Sequence, residues 1–224
     1  GPNIVINTAV AEELRQFADI LEQADDFGSA LHSLIRQVIH DHKRIIFNGN
    51  GYEEAWVEEA ARRGLLNMPS TPECVSAFLE PKNVQLLERH RVFNEVEIRA
   101  RYEIKLEGYC KIRNIEARTM LEMVYRDIFP AVSAYCAELS TAAISRRAFV
   151  PEAPCSFEED TVSRLSVLLQ DAYRVAGEMK AVLEKTAAIG DIQELAMFYK
   201  DSVLSRMEEL RAYVDEMETL TAAS

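Results

Sequence analysis

The residues with the most chemical promise lie between positions 47 and 63. The stretch "FNGNGYEEAW", 47 to 56, sets Gly49 and Gly51 beside Asn48 and Asn50, between a hydrophobic run and a helical pattern. A glycine-rich turn ahead of a helix can aim backbone amides at phosphate oxygens. This one lacks the Lys-Ser or Lys-Thr that completes a P-loop, and G-N-G-Y is not G-x-G-x-x-G. Glu53 and Glu54 also occupy the first turn of the expected helix and already complement its dipole. A structural turn that uses glycine where φ is positive is the reading these residues favour over a phosphate cradle. Glu53, Glu54, Glu58 and Glu59 are dense enough to suggest acid–base or divalent-metal work. Helical spacing, however, sets them beside Arg62 and Arg63, so an ion-paired, solvated face is expected.

The remaining reactive side chains are scattered. His40 and His42 lie two apart and point about 200° away from each other on a helix. His32 and His40 share a face but sit about 12 Å apart by helical rise, too far to share a metal, and His90 has no histidine or cysteine at ligand spacing. The four cysteines, Cys74, Cys110, Cys136 and Cys155, form no C-x-x-C pair and read as buried thiols of a reduced, cytoplasmic protein. No Ser or Thr stands in a nucleophile-elbow context. Met120, Met123, Met179, Met197, Met207 and Met217 could line a ligand groove, although Met at helical spacing is usually core filler. No catalytic, cofactor-binding or metal-ligating residue is therefore expected in this segment.

The elements that carry these residues read as helices throughout. Val10, Leu14, Phe17 and Leu21 form one apolar stripe from Asn7 to Ala24, with Asn7 or Thr8 as the cap. Ser29 can cap a second helix ending near His42, with Leu31, Leu34, Ile35, Val38 and Ile39 along one face. Arg44 to Phe47 suggests a short extended piece, and Tyr52, Trp56, Ala60 and Arg63 share a helical face that Gly64 ends. Thr71-Pro72 and Glu80-Pro81 open two short helices, the second running to about Arg91. Asn94 to Glu97 reads as a capping box starting the longest pattern, with Tyr102, Leu106, Tyr109, Ile112, Ile115, Met120, Met123, Val124 and Ile128. Pro130 should kink that helix, which continues to about Ile144. After the connector "RRAFVPEAPCS" come a helix over 158–188, with Val162, Leu165, Leu169, Ala172, Ala176, Met179 and Leu183 inward, and one over 191–220 opened by Asp191-x-x-Glu194. The second carries Leu195, Phe198, Ser202, Leu210, Val214, Met217 and Leu220, and the two should form an antiparallel hairpin on the long helix. The expected class is all-α: a helical bundle with one very long kinked helix and a C-terminal antiparallel hairpin.

With 224 residues the chain can bury a sizeable core. Its 25 Lys and Arg against 37 Asp and Glu leave a net charge of -12, which repels nucleic acid and anionic membrane surfaces. No apolar run is expected to reach the roughly 20 residues of a membrane span, and the N-terminus has no signal pattern. The chain opens on Gly1-Pro2 without Met, and whether these two residues are native or left by a protease stays open.

Two segments carry a resemblance. "KRIIFNGNGYEEAWVEEAARRGLLNMPSTPE", 43 to 73, and "RARYEIKLEGYCKIRNIEARTMLEMVYRDIFPAV", 99 to 132, resemble the C-terminal region of type III glutamine synthetases, as does the opening "GPNIVINTAVAEEL". The resemblance covers residues 1 to 145, and 156 to 220 fit by position and pattern. It implies a parent enzyme, cytoplasmic and dodecameric, built as two stacked hexameric rings, that ligates ammonia to glutamate with ATP and carboxylate-held Mg or Mn. It also implies that the catalytic motifs lie upstream, with none carried by this segment. Residues 1–92 then read as short helices continuing from a catalytic domain, with the Gly-rich loop at 47–52. Residues 93–224 read as a long-helix bundle of 94–146, 158–188 and 191–220. The expected partners are other subunits of the same enzyme, with no nucleic acid and no membrane. The competing reading is an independent helical adaptor that binds a partner helix through a Met-rich groove between its last two helices.

Overall fold

A computed structural model describes residues 2–222; Gly1, and with it half of the Gly1-Pro2 question, lies outside them. The all-α expectation is met: every regular element among the described residues is helical. The chain divides into two compact units, 1–103 and 104–224.

In the first unit α1 spans Pro2–Leu21, starting five residues before the Asn7 cap that the sequence suggests. Its apolar stripe turns inward in its second half, where Phe17 and Leu21 are half-buried beside α2, and not in its first. Thr8 and Glu12 are the buried residues, while Val10 and Leu14 are 52% and 61% exposed. α2, Phe27–Asp41, is capped by Asp26, whose carboxylate accepts from the Ser29 amide, so Ser29 is N3 and not the cap. α2 packs against α1. The expected extended piece at Arg44 is instead a 3-10 turn, Lys43–Ile45. α3, Glu54–Arg62, ends as expected at Gly64, which takes φ +72°. The Gly64 and Leu65 amides return to the Ala61 and Ala60 carbonyls, the bonding pattern that requires a left-handed residue at this point. α4, Thr71–Cys74, carries a capping box from Ser70 to Glu73, and a 3-10 turn, Val75–Leu79, leads to α5, Pro81–Arg89. α5 stops two residues short of the expected Arg91 because its C-terminus uses the same closure without glycine: Arg91 itself is left-handed, at φ 53°.

The capping box at the start of α6, Glu95–Met123, is present in both directions. The Glu97 amide donates to Asn94 Oδ1 at 2.9 Å, and the Asn94 amide donates to Glu97 Oε2 at 2.9 Å. Pro130 does not end the helix. A π-helical turn, Val124–Ile128, precedes α7, Phe129–Phe149, and the Phe129 amide reaches back five residues to the Val124 carbonyl. The wider turn takes up the missing proline donor, and the helix runs unbroken from Glu95 to Phe149. The inward face of α6 is Leu106, Cys110 and Ala117, whereas Ile112 and Ile115, expected inside, are more than half exposed.

That helix contains an 18-residue window of mean hydropathy 1.2, long and apolar enough by length and composition to cross a membrane, which corrects the expectation that no stretch reaches that mark. In the second unit the apolar content of α7 has a packing role: it lies on α8, Ser156–Lys185, with Val132, Leu139 and Ala143 buried. Glu158, Leu165, Ala172 and Met179 recur every seven residues on the buried seam of α8, joined by Leu168 and Val175, the spacing of helices that pack side by side. A 3-10 turn, Thr186–Ala188, leads to α9, Ile192–Phe198, capped by Asp191 on the Glu194 amide. A second π turn, Tyr199–Leu204, joins it to α10, Ser205–Leu220. α10 packs on α8 as the expected antiparallel hairpin, bridged by Arg164 with Glu216 and by Arg174 with Glu209.

Candidate functional site

The glycine loop closes on itself. The Phe47 ring stacks on Trp56, centroids 4.3 Å apart, and the Arg63 guanidinium lies 5.9 Å and 5.7 Å from the two ring centroids. Arg63 also donates to the carbonyls of Arg44 and Ile46, at 3.1 and 2.9 Å, and pairs with Glu59. A Cβ on Gly49 would sit 2.5 Å from the Phe47 ring, so close ring approach is what demands glycine there. Asn50 organises the rest: its Oδ1 accepts from the Tyr52 amide at 3.1 Å and its Nδ2 donates to Glu53 at 3.0 Å. The Asn50 side chain and the Tyr52 and Glu53 amides are thus engaged within the turn. Tyr52, expected on the helical face with Trp56, stands in the loop and is fully exposed.

Of the four clustered glutamates, Glu59 makes the expected ion pairs, to Arg62 at 2.6 Å and to Arg63. Hydrogen bonds from Arg62 and then Arg63 hold its carboxyl below the usual range. Glu53 serves the loop, and Glu54 and Glu58 stand exposed. The pairing was readable from i,i+3 and i,i+4 spacing; the role of Arg63 in joining the helix end to residues 44–47 was not. Two aromatic residues flanking a glycine pair were the only hint.

The structure also builds a cluster that spacing could not show. Glu12, 6% exposed on α1, accepts from His90 Nε2 at 2.7 Å, from Arg15 at 3.0 and 3.2 Å, from Gln16 at 3.0 Å, and from Arg89. His90, the C-cap of α5, therefore has a partner 78 positions away. Arg15 first, then His90 and Gln16, drive the Glu12 carboxyl far below the usual carboxylate range. A general base needs affinity for a proton near the working pH; this carboxylate has its oxygens filled by donors and acts as a clamp between α1 and α5. His40 pairs only with its neighbour Asp41, at the surface, and His32 and His42 are not buried. Among the described residues no three His, Cys, Asp or Glu side chains gather where they could hold a metal ion. The cysteines are free thiols, and burial raises the pKa of Cys110 and Cys136, which works against thiolate chemistry.

A large concavity belongs to the second unit. An open cavity of about 950 Å³ runs between residues 115–132 of the long helix and residues 207–222 of α10 and the residues after it. Met120, Met123, Met207 and Met217 line it, and Met179 is instead sealed in the core. The Met-lined groove thus exists, but between the long helix and α10, not between the last two helices.

Comparison with known proteins agrees over most of the chain. Residues 30–147 match the family described as glutamine synthetase C-terminal domain. The chain is 33% identical over 196 residues to a glutamine synthetase of Butyrivibrio fibrisolvens, covering 88% of this chain and 28% of that protein. It is 30% identical over 228 residues to a type-3 glutamine synthetase of Dictyostelium discoideum, 97% of this chain and 30% of the relative. A glutamine synthetase of Bacteroides fragilis is 27% identical over 225 residues, 96% of this chain and 31% of its own length. The chain spans less than a third of the length of each of these relatives.

Proposed function

The chain belongs to the glutamine synthetase C-terminal domain family, and from that premise we propose that it is the helical C-terminal region of a type III glutamine synthetase, not catalytic by itself and structural or assembly-related in role. The family match over residues 30–147 carries the reading. The local geometry supports its second half. The glycine turn is closed by Phe47, Trp56 and Arg63, and the buried Glu12 carboxylate is saturated by internal donors.

The parent enzyme, on this reading, joins ammonia to glutamate at the expense of ATP, with Mg or Mn held by carboxylates of its catalytic part. The residues present here do not fit those groups: no three ligating side chains converge among the described residues, and the loop's Asn50 side chain is taken up by the Tyr52 amide and Glu53. No step of the reaction is therefore routed through this segment. Its partners are other subunits of the same enzyme, in the family's dodecamer, with neither nucleic acid nor membrane. The exposed apolar residues Ile6, Val10 and Leu14 on α1, with Ile35 and Ile39 on α2, supply a face suited to such contacts. A cytoplasmic location is supported by four unpaired thiols. An independent adaptor draws on the apolar groove alone and leaves the family match unexplained.

The test is a titration of the purified chain with ATP and Mg, followed by an assay for glutamine formation with glutamate and ammonium. No saturable binding and no product are expected. Micromolar ATP binding or turnover would overturn the proposal.

A further inference from the structure

We infer that the groove between the long helix and α10 is a docking site for an amphipathic helix with basic flanks. Its two walls are helical: residues 115–132 of the long helix and 207–220 of α10 extend about 26 and 20 Å at about 1.5 Å per residue. A trench of about five turns, with an open top, suits a rod about 10–12 Å across better than a compact metabolite. The floor and walls are apolar, with Met120, Met123, Met207, Val214 and Ile128 among them. Methionine can reshape to a range of inserted side chains.

The rim selects the partner's charge. Glu116, Asp127, Asp215 and Glu218 stand along the groove, against a single cation, Arg211. Arg211 is already engaged by Asp215 at 3.2 Å, and Glu116 by Arg113 at 2.8 Å. Asp127 on one wall and Glu218 on the other are exposed and make no ion pair among the described residues. Two unmatched carboxylates on opposite lips ask for Lys or Arg on both flanks of the occupant. The chain's own balance of -12 makes a second copy of it a poor match. This inference stands on the groove and does not rest on the synthetase reading.

The probe is a fluorescein-labelled helical peptide of about 18 residues, matched to the groove's length, with Leu and Trp on one face and Lys on both flanks, read by anisotropy with the full chain at low salt. A second peptide keeps the apolar face and replaces every Lys with Glu. The Lys peptide is expected to bind saturably, and the Glu peptide at least about tenfold more weakly. Asp127→Asn with Glu218→Gln should weaken the Lys peptide by about tenfold, since two exposed charges are lost while the helical circular dichroism is unchanged. Met123→Arg, at a half-exposed groove position, should abolish binding by placing a cation where the apolar face must seat. Absence of binding, equal binding of the two peptides, or indifference to all three substitutions would overturn the inference.

Discussion

Arg63 and Glu12 show how much depends on single side chains that no motif marks. Arg63 fastens the end of α3 to the carbonyls of Arg44 and Ile46 and covers the Phe47–Trp56 stack. Gly49 is what lets the Phe47 ring lie flat beneath the turn. Gly49→Ala is expected to push the ring aside at a cost of about 1–3 kcal/mol, the usual penalty for overpacking. Trp56 is the sole tryptophan of the chain, so the change should appear as a shift in tryptophan emission together with a lower thermal midpoint. Glu12 makes a different prediction. Its carboxyl is held far below its ordinary value of 4.5 in the folded chain, so on acidification the unfolded chain takes up this proton first. The stabilisation from the clamp is complete above about pH 4.5 and declines steadily as pH falls below it. Urea midpoints measured from about pH 7 down to about pH 3 should fall with acid, and Glu12→Gln should start lower and flatten that dependence. A variant with an unchanged acid slope would show that the clamp does not contribute. The long-range partners of neither residue were legible in the sequence. Glu12 falls between the apolar positions of α1, and Arg89 and His90 reach it from the C-terminal end of α5, more than 70 positions away.

Helices were legible as elements because capping and periodicity are local. The boxes at Asn94 and Ser70, the Asp191 cap and the Gly64 stop all depend on residues within a turn of each other. The phase of the buried face was not always legible, since each π turn inserts one extra residue into a 3.6-residue repeat and rotates the residues beyond it by about 100°. Across the second, Tyr199–Leu204, Ala196, Val203, Leu210 and Met217 keep a seven-residue spacing in the core and Tyr199 joins them, where the sequence reading places Phe198 and Ser202. Val203 is fully buried. Val203→Ala should therefore cost about 1–3 kcal/mol by leaving a cavity, and Ser202→Ala less than about 0.5 kcal/mol. Equal effects in chemical denaturation would place the two residues on a common face and refute this register. The first π turn has the opposite lesson. Pro130 announces a disturbance, but whether the helix breaks depends on a register shift that composition does not encode.

At the scale of the whole molecule, the family was legible where the structure proved most locally determined: the closed glycine turn and the helix capped at Asn94. Apolar faces that have no partner within their own unit were harder to read. Periodicity reports that Val10 and Leu14 share a face, and it cannot report that Glu12 and Thr8 face inward instead. The central claim, that the chain is the non-catalytic tail of a larger ligase, is tested most directly by the mass of the native polypeptide that carries these peptides in its source cell, found by denaturing separation and peptide mapping. The account predicts a single chain several times longer than these 224 residues, with glutamine synthetase peptides upstream of them. A native chain of about 25 kDa, the mass of this segment alone, would contradict it.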